Sequence, residues 1–227
     1  VIPLAIIGAR IYYVLFSLDQ FTSFWQVFEI WNGGLGFYGG LIGGTLGVIL
    51  YCAIHKKNFL KLADIVVLGL VLGQGIGRWG NFVNQEAYGY YISDENLRWF
   101  PFGVYIEHCH QAGCECPGYG WHLATFFYEF MNNMIIFVIL TVLLYKVKFK
   151  SDGIIGACYL IMYGFCRFIV EGLRTDSLYL GPFRISQVLS IVFILCGVAY
   201  ILYCYFRNKK KKSSYDIIMN VLKNDLK

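Results

Sequence analysis

Three arginines lie within or at the edge of apolar stretches of this sequence. Arg78 stands in GRWGNFVNQEAYG, residues 77–89, Arg167 stands in YGFCRFIVEGLR, and Arg10 stands in GARIYYVLF. Ionisable side chains inside a membrane span are costly, and they usually mark a polar cavity or a pathway. Because the planar arginine fork binds two phosphate oxygens at once and stays protonated, these residues predict a site for an anionic phospholipid headgroup.

The residues around Arg167 form a polar stripe on one face of a helix. At about 100° per residue, four side chains project in nearly the same direction: Tyr163, Arg167, Glu171 and Arg174. Glu171 comes four residues after Arg167 and three before Arg174, so it can orient both guanidiniums. We expect this stripe to face a wet cavity, and a purely structural ladder of ion pairs is the alternative.

Two polar residues accompany Arg78. Asn81 follows Arg78 by three residues, so both lie on one helical face and the amide adds hydrogen-bond donors. Glu86 lies where the span gives way to the next loop. It can serve as a base, as the partner of an arginine, or as a helix-end carboxylate without a role, and we expect a role in the site.

The three arginines are expected at a similar depth. From the starts of their spans, Arg78 lies about 24 Å and Arg167 about 21 Å along the helix, while Arg10 lies about 9 Å before the end of its own span. In a hydrocarbon core of about 30 Å all three fall in the outer half and can meet around one site. Snorkelling to the headgroups is the alternative, and for Arg10 both interpretations stay open.

The composition predicts an all-α polytopic membrane protein. The chain is 58% hydrophobic and 15% charged, whereas soluble domains carry about 25% charged residues. Six apolar stretches of about the length that spans a bilayer predict six transmembrane helices: residues 1–16, 35–54, 62–82, 122–145, 153–171 and 184–206. The first stretch begins at Val1 without a polar flank, so we expect that a preceding segment of the protein is missing.

Lysine and arginine are concentrated in alternate loops. They follow the second, fourth and sixth spans, which places those loops and the C-terminus in the cytoplasm. The predicted organisation is a transmembrane helical domain at 1–212, with an outward loop or cap at 86–121, and a cytoplasmic tail at 213–227 that is either an interfacial helix or disordered. The net charge of +5 follows from this bias and indicates attraction to a lipid bilayer rather than to nucleic acid.

Two further patterns concern cysteine and glycine. Five residues that can bind metals or form disulfides crowd the outward loop: His108, Cys109, His110, Cys114 and Cys116. We favour a disulfide or no role over a metal site, because their spacing is irregular. Glycines spaced four residues apart predict close helix packing in two groups: Gly36, Gly40 and Gly44, with Gly39 and Gly43 beside them, and Gly69, Gly73 and Gly77.

The stretch GRWGNFVNQEAYG resembles the signature of the prolipoprotein diacylglyceryl transferase family, Gly-Arg-x-Gly-Asn-Phe-x-Asn-x-Glu-x-x-Gly. Other stretches are similar to family helices: GARIYYVLF to the second, WNGGLGFYGGLIGG to the third, FFYE (with Tyr128 and Glu129) to the fifth, and YGFCRFIVEGLR with ISQVLS to the last two. The resemblance covers nearly the whole chain. It implies seven spans, of which this sequence lacks the first.

The resemblance implies an enzyme at the outer face of the bacterial cytoplasmic membrane. It would transfer the diacylglyceryl group of phosphatidylglycerol to the lipobox cysteine thiol of a preprolipoprotein and release glycerol 1-phosphate, without a cofactor or metal ion. By position, Arg78 and Arg167 match the family's essential arginines. The residues that accompany them are Asn81, Glu86, Gly89, Tyr163, Glu171 and Arg174.

In this chemistry a thiolate attacks the C3 carbon of the diacylglyceryl group and a phosphate monoester leaves. We expect Arg78 and Arg167 to hold that phosphate. Tyr38 stands where many members of the family have histidine, and a phenol with a pKa near 10 is a poor base. Tyr38 is therefore expected to donate a hydrogen bond, and the base is Glu86, Glu171 or no protein group.

Two features leave alternative interpretations of the structure and the function open. Ala124 replaces a proline that is common in the family before the fifth span, which affects how that span begins. An anionic-phospholipid transporter or flippase could use the same arginines without chemistry. That function would favour broken helices or a repeat near the midplane, whereas the arginines lie toward one face.

Overall fold

The computed structural model describes residues 1–18, 21, 23–107, 120–147, 151–175, 179–180 and 182–225. Six helices dominate: α1 (Ile2–Phe16), α2 (Phe37–Ile54), α3 (Phe59–Val83), α4 (Thr125–Lys146), α5 (Ile154–Leu173) and α6 (Ile185–Asp225). Each coincides with one of the six apolar stretches. The exception in length is α6, which continues through the lysine-rich segment, so the backbone of the tail is helical as far as Asp225.

Four of these helices are long and apolar enough to cross a membrane: α3, α4, α5 and the part of α6 from Ile185 to Lys210. The helices α1 and α2 are also apolar, but shorter. The 15 residues of α1 rise about 22 Å, less than a hydrocarbon core of about 30 Å. The structure thus supports a mostly helical protein with four candidate spans, and six spans remain a prediction.

Within the described part of the chain, short elements occupy the connections between helices. Three are 3₁₀ helices: Phe24–Phe28, Ile30–Asn32 and Glu95–Leu97. Four are strands: β1 (Gly103–Ile106), β2 (Gly120–Leu123), β3 (Tyr179–Leu180) and β4 (Phe183–Arg184). β1 pairs antiparallel with β2, with Val104 opposite His122, and β3 pairs antiparallel with β4. The predicted cap at 86–121 therefore contains β1 and the start of β2, and the side of the membrane on which it lies is still a prediction.

The chain divides into two compact units, Val1–Ala63 and Asp64–Lys227. In the first, α1 and α2 pack with their backbones in contact. A Cβ built at Gly39 would overlap the Gly8 carbonyl, and one at Gly43 would overlap the Leu4 carbonyl. The predicted packing role is confirmed for these glycines. It is not found for Gly69, Gly73 and Gly77, where an added Cβ would meet no atom of the described chain within 4 Å.

The second unit is built around a core shared by three helices. The buried members of that core are Val67 and Val71 of α3, Ile136 and Leu140 of α4, and Ile155 and Tyr159 of α5. A smaller core joins β1 to the start of α4 through Val104, Ile106 and Phe126. The first core lies in the halves of α3, α4 and α5 away from the polar residues described next, and the second core holds the start of α4.

Candidate active site

Glu129 lies at the centre of a group of arginines contributed by two other helices. Its Oε2 is 2.7 Å from Nε of Arg78, and its Oε1 is 2.8 Å from Nη1 of Arg167 and 3.4 Å from Nη1 of Arg174. The Glu129 side chain is only 7% exposed. We call Arg78, Glu129, Arg167, Glu171 and Arg174 the Glu129 cluster.

Glu171 adds a second carboxylate to the cluster. Its Oε2 lies 2.7 Å from Nη2 of Arg167, one helical turn away, as the predicted stripe required. The Glu171 side chain is 2% exposed, and its backbone carbonyl accepts a hydrogen bond from Arg184, which also donates to the Tyr90 hydroxyl at 3.0 Å. Three guanidiniums against two carboxylates leave one positive charge in excess within the cluster.

Arg78 is the most exposed arginine of the cluster. Its side chain is 22% exposed, compared with 17% for Arg167 and 11% for Arg174. Nε of Arg78 is paired with Glu129, and its guanidinium also interacts with the Tyr163 phenol. The terminal amino groups of Arg78 therefore retain N–H donors that can reach an oxyanion.

A small cavity of about 10 Å³, enough for one water molecule, adjoins the cluster, with Glu129, Asn133, Tyr163 and Arg167 in its wall. The Asn133 amide donates to the Glu129 carbonyl at 2.8 Å, and its Oδ1 is buried without a hydrogen-bond partner in the described structure. A buried amide oxygen in that state favours a donor from water or a ligand. The cavity thus combines guanidinium donors with an open acceptor.

The second half of residues 77–89 connects the three helices. The Ala87 carbonyl accepts a hydrogen bond from Thr125 Oγ1 at 2.6 Å, at the first residue of α4, and Gly89 N donates to the Leu123 carbonyl at 2.9 Å. Gly89 is also bridged to Arg174 at the end of α5. These contacts hold the start of α4 and the end of α5 beside the end of α3.

Gly89 has no room for a side chain. A Cβ there would lie 2.7 Å from Leu123 Cβ, 2.8 Å from the Leu173 carbonyl and 2.9 Å from Thr125 Cγ2. Nearby, Gln85 and Ala87, with φ of 52° and 57°, adopt the left-handed conformation that non-glycine residues rarely take. The tight path of this segment explains why its last position is glycine.

His122 supports the same junction from β2. Its Nδ1 lies 3.0 Å from the Gly89 carbonyl, and its ring packs against Tyr88 with centroids 4.7 Å apart. The pKa of His122 is lowered, chiefly because burial disfavours the charged ring, while the hydrogen bond to Gly89 opposes this in part. The neutral ring then carries its proton on Nδ1, where it can donate to that carbonyl.

Asn81, Glu86 and Tyr38 are three further predicted site residues. Asn81 is half-buried on α3. Glu86 is exposed and accepts a hydrogen bond from the Asn84 amide at 3.2 Å, and within the described residues no ion pair joins it to an arginine. Tyr38 is 53% exposed at the start of α2, with its ring 6.1 Å from that of Tyr12. Roles for these residues in the reaction stay predictions.

Arg10 is 9% exposed and holds the segment that precedes α2. Its guanidinium donates to four backbone carbonyls at 2.6–2.9 Å: those of Gln26, Val27, Gly33 and Gly34. It also lies over the rings of Tyr13 and Phe21. Four of its five N–H groups are thus engaged within the first unit, and phospholipid binding by Arg10 stays a prediction.

The central position of Glu129 was not predicted from the sequence. A carboxylate five residues into an otherwise apolar helix was a visible signal, and it lies in the FFYE stretch, but only the structure links it to Arg78 and Arg167. Arg184 was missed as well. No group of three residues that could hold a metal ion exists within the described part of the chain, and the cluster from His108 to Cys116 lies outside that part.

Comparison with known proteins identifies relatives of this chain. A family model described as prolipoprotein diacylglyceryl transferase matches residues 1–203. A Clostridium perfringens protein named phosphatidylglycerol–prolipoprotein diacylglyceryl transferase 1 is 41% identical over 210 residues, which cover 92% of this chain and 78% of the relative. Proteins of the same enzyme name from Finegoldia magna and Streptococcus equi subsp. equi are each 42% identical to this chain. The matches cover 87% and 94% of this chain, and 73% and 78% of the respective relatives.

Proposed function

The chain belongs to the prolipoprotein diacylglyceryl transferase family, and we propose that the Glu129 cluster is the place where it binds the phosphate of phosphatidylglycerol. The protein is a transferase of the first step of lipoprotein maturation, in which the diacylglyceryl group of phosphatidylglycerol passes to a prolipoprotein. The relatives are named as transferases, and nothing favours the alternative of a lipid transporter.

The observation that carries the proposal is the exposure and pairing of Arg78. Its Nε is anchored to Glu129 at 2.7 Å, which holds the guanidinium plane, while its terminal amino groups keep donors for a ligand. An anchored guanidinium needs little reorganisation when negative charge develops on a leaving phosphate. The excess positive charge of the cluster adds to the attraction for an anionic headgroup.

The transfer of the diacylglyceryl group releases one proton, that of the lipobox thiol. The sulfur of the lipobox cysteine forms a C–S bond to C3 of the diacylglyceryl group, the C3–O bond to phosphate breaks, and glycerol 1-phosphate leaves with the bonding electrons. Arg78 and Arg167 neutralise the charge that grows on the departing oxygen, a role in which one donor is worth about 3–4 kcal/mol. The thiol proton passes to solvent or to a base.

The cluster carboxylates are poorly placed to be that base. Glu129 and Glu171 both form ion pairs with Arg167, so protonating either one would break a contact that positions the arginines. Nearby guanidiniums favour the thiolate by lowering the pKa of the approaching thiol. We therefore propose electrostatic activation of the thiol, with Glu86, Asn81 and Tyr38 as further contacts to substrate rather than parts of the cluster.

Placement in the membrane follows from the same proposal. Six apolar helices cross the bacterial cytoplasmic membrane, the lysine-rich ends face the cytoplasm, and the Glu129 cluster faces the outer leaflet, where both phosphatidylglycerol and a lipobox can reach it. Support comes from the bias of lysine and arginine among the loops. It also comes from Arg78 and Arg167, which both lie toward the C-terminal ends of their helices, away from the lysines that precede α3 and α5.

A reconstituted assay tests the proposal. Purified protein is given a lipobox peptide with either phosphatidylglycerol or phosphatidylcholine vesicles, and the thioether product is measured by mass spectrometry. We expect product only with phosphatidylglycerol, and a loss of at least 100-fold in Arg167→Ala, in keeping with the loss of about 10²- to 10³-fold seen for single electrostatic donors. Full activity in the Arg167→Ala variant would refute the assignment of the site.

A further inference from the structure

We propose that Asp64 is a positioning residue that sets the axial register of α3 against α5, so that Arg78 and Arg167 reach Glu129 together. This inference rests on the proposed function of the Glu129 cluster. Asp64 is a carboxylate near the start of α3, only 8% exposed, and it takes no part in the cluster. Its contacts lie at the opposite ends of α3 and α5.

Both oxygens of Asp64 bind the first turn of α5. Oδ2 accepts a hydrogen bond from Gly153 N at 2.7 Å, and Oδ1 accepts one from Gly156 N at 2.8 Å. The first N–H groups of a helix have no partner within it, and they carry partial positive charge that favours a carboxylate. Gly153, the N-cap residue, has no side chain to fill this role and adopts a left-handed φ of 88°.

A contact through both oxygens of Asp64 restricts the position of α5 more than capping of its first turn alone requires. One hydrogen bond would satisfy a single N–H and leave α5 free to slide or turn about it. Two bonds, from one side chain of α3 to two backbone positions of α5, fix both the height and the rotation of α5 relative to α3. A further hydrogen bond links the same helices midway, from the Tyr159 hydroxyl to Gln74 Oε1 at 3.0 Å.

The spacing along the two helices connects this contact to the cluster. Arg78 follows Asp64 by 14 residues, and Arg167 follows Gly153 by the same 14 residues. Each interval rises about 21 Å along its helix. Fixing the heights of Asp64 and Gly153 therefore brings the two guanidiniums to matching heights, where one Glu129 carboxylate accepts both, at 2.7 and 2.8 Å.

The tolerance of this arrangement is small. A slip of one residue displaces a helix by about 1.5 Å, whereas hydrogen bonds to nitrogen span only about 2.7–3.2 Å. Such a slip would break the contact of Arg78 or of Arg167 with Glu129. Misplacement of about 1 Å by a distant substitution can lower catalytic rates about 100-fold. Asp64 would thus affect the rate without touching a substrate.

Kinetics of two Asp64 variants test the inference. Asp64→Asn keeps the size and one acceptor oxygen, while Asp64→Glu keeps the charge and moves the carboxylate outward by one methylene. We expect kcat to fall about 10-fold in Asp64→Asn and further in Asp64→Glu, with KM for phosphatidylglycerol changing less than 3-fold. Wild-type kcat in either variant, with helical content and thermal unfolding showing a folded protein, would overturn the inference.

A double-mutant cycle separates register from general stability. Tyr163→Phe removes the hydroxyl that interacts with Arg78, at a position 10 residues after Gly153, or about 15 Å along α5. Independent sites this far apart give losses of kcat that multiply. We expect the loss of kcat in the Asp64→Asn, Tyr163→Phe double variant to be clearly smaller than the product of the two single losses. The reason is that a displaced Arg78 no longer depends on the phenol.

The outcomes distinguish the inference from the function on which it rests. Losses that simply multiply would show that Asp64 acts through overall stability, and would overturn its positioning role while leaving the site intact. Full activity in both Tyr163→Phe and Arg167→Ala would instead remove the Glu129 cluster as the site, and the register inference with it.

Discussion

Nε of Arg78 lies 2.7 Å from Oε2 of Glu129, although one residue lies near the end of α3 and the other near the start of α4. The same carboxylate holds Arg167 from α5. Removing one partner of such a buried pair leaves the remaining charge without compensation, which is more costly than the pair is stabilising. The cluster can therefore be tested through Glu129, a residue that itself needs no contact with substrate.

Glu129→Gln should lower both stability and activity. The amide keeps the size of the side chain but leaves Arg78 and Arg167 without their shared anion, and breaking a buried pair in this way costs about 3–5 kcal/mol. Thermal unfolding in detergent and the peptide-transfer assay measure the two effects. The matched control is Glu95→Gln: its carboxylate is 87% exposed and pairs with Arg98 only at 3.6 Å, so we expect little change.

Arg78→Lys should abolish most activity while preserving the charge. A lysine ammonium cannot bind Glu129 and a phosphate oxygen with separate planar donors, so we expect kcat to fall about 10²- to 10³-fold. Arg98→Lys is the matched control, because Arg98 belongs to the connecting segment and not to the cluster. Equal activities of the two lysine variants would contradict the role assigned to the Arg78 fork.

Gly89→Ala should destabilise the junction between α3, α4 and α5. The new methyl group would meet Leu123 Cβ and the Leu173 carbonyl at 2.7 and 2.8 Å, and overpacking of this kind costs about 1–3 kcal/mol. Gly69→Ala on α3, where the described chain leaves space, should be neutral or slightly stabilising, since alanine favours helix. Unfolding midpoints of the two variants give the comparison, and a neutral Gly89→Ala would argue against the tight junction.

Acidification should lower the free energy of unfolding through protonation of His122 in the unfolded chain. Its pKa is lowered in the folded state by burial, so the unfolded chain, with histidine pKa near 6.5, binds the proton more readily. The free energy of unfolding is then greatest above pH about 6.5, falls as the pH drops below that value, and levels off below the folded-state pKa. His122→Asn should flatten this dependence, whereas His55→Asn, at an exposed residue, should leave it unchanged. An identical slope in both variants would show that other groups control it.

The sequence by itself determined the helices and the family. Their apolar length and 3.6-residue period are local properties, so the predicted stretches coincide with α1 to α6, and the stripe that joins Arg167 to Glu171 was predicted from spacing within one helix and then found at 2.7 Å. The signature likewise led to the correct family. Contacts within one helix are fixed by geometry that every helix shares.

Only the tertiary structure decided which residues meet across helices. It placed Glu129 between Arg78 and Arg167, left Glu86 exposed, gave Arg10 four backbone carbonyls, and tied Asp64 to the first turn of α5. These outcomes depend on the rotation and height of each helix against its neighbours. Packing of Val71, Leu140 and Ile155 in the shared core, the tight path at Gly89 and the contact of Asp64 with α5 all act on those two quantities, and no spacing within a single helix contains them.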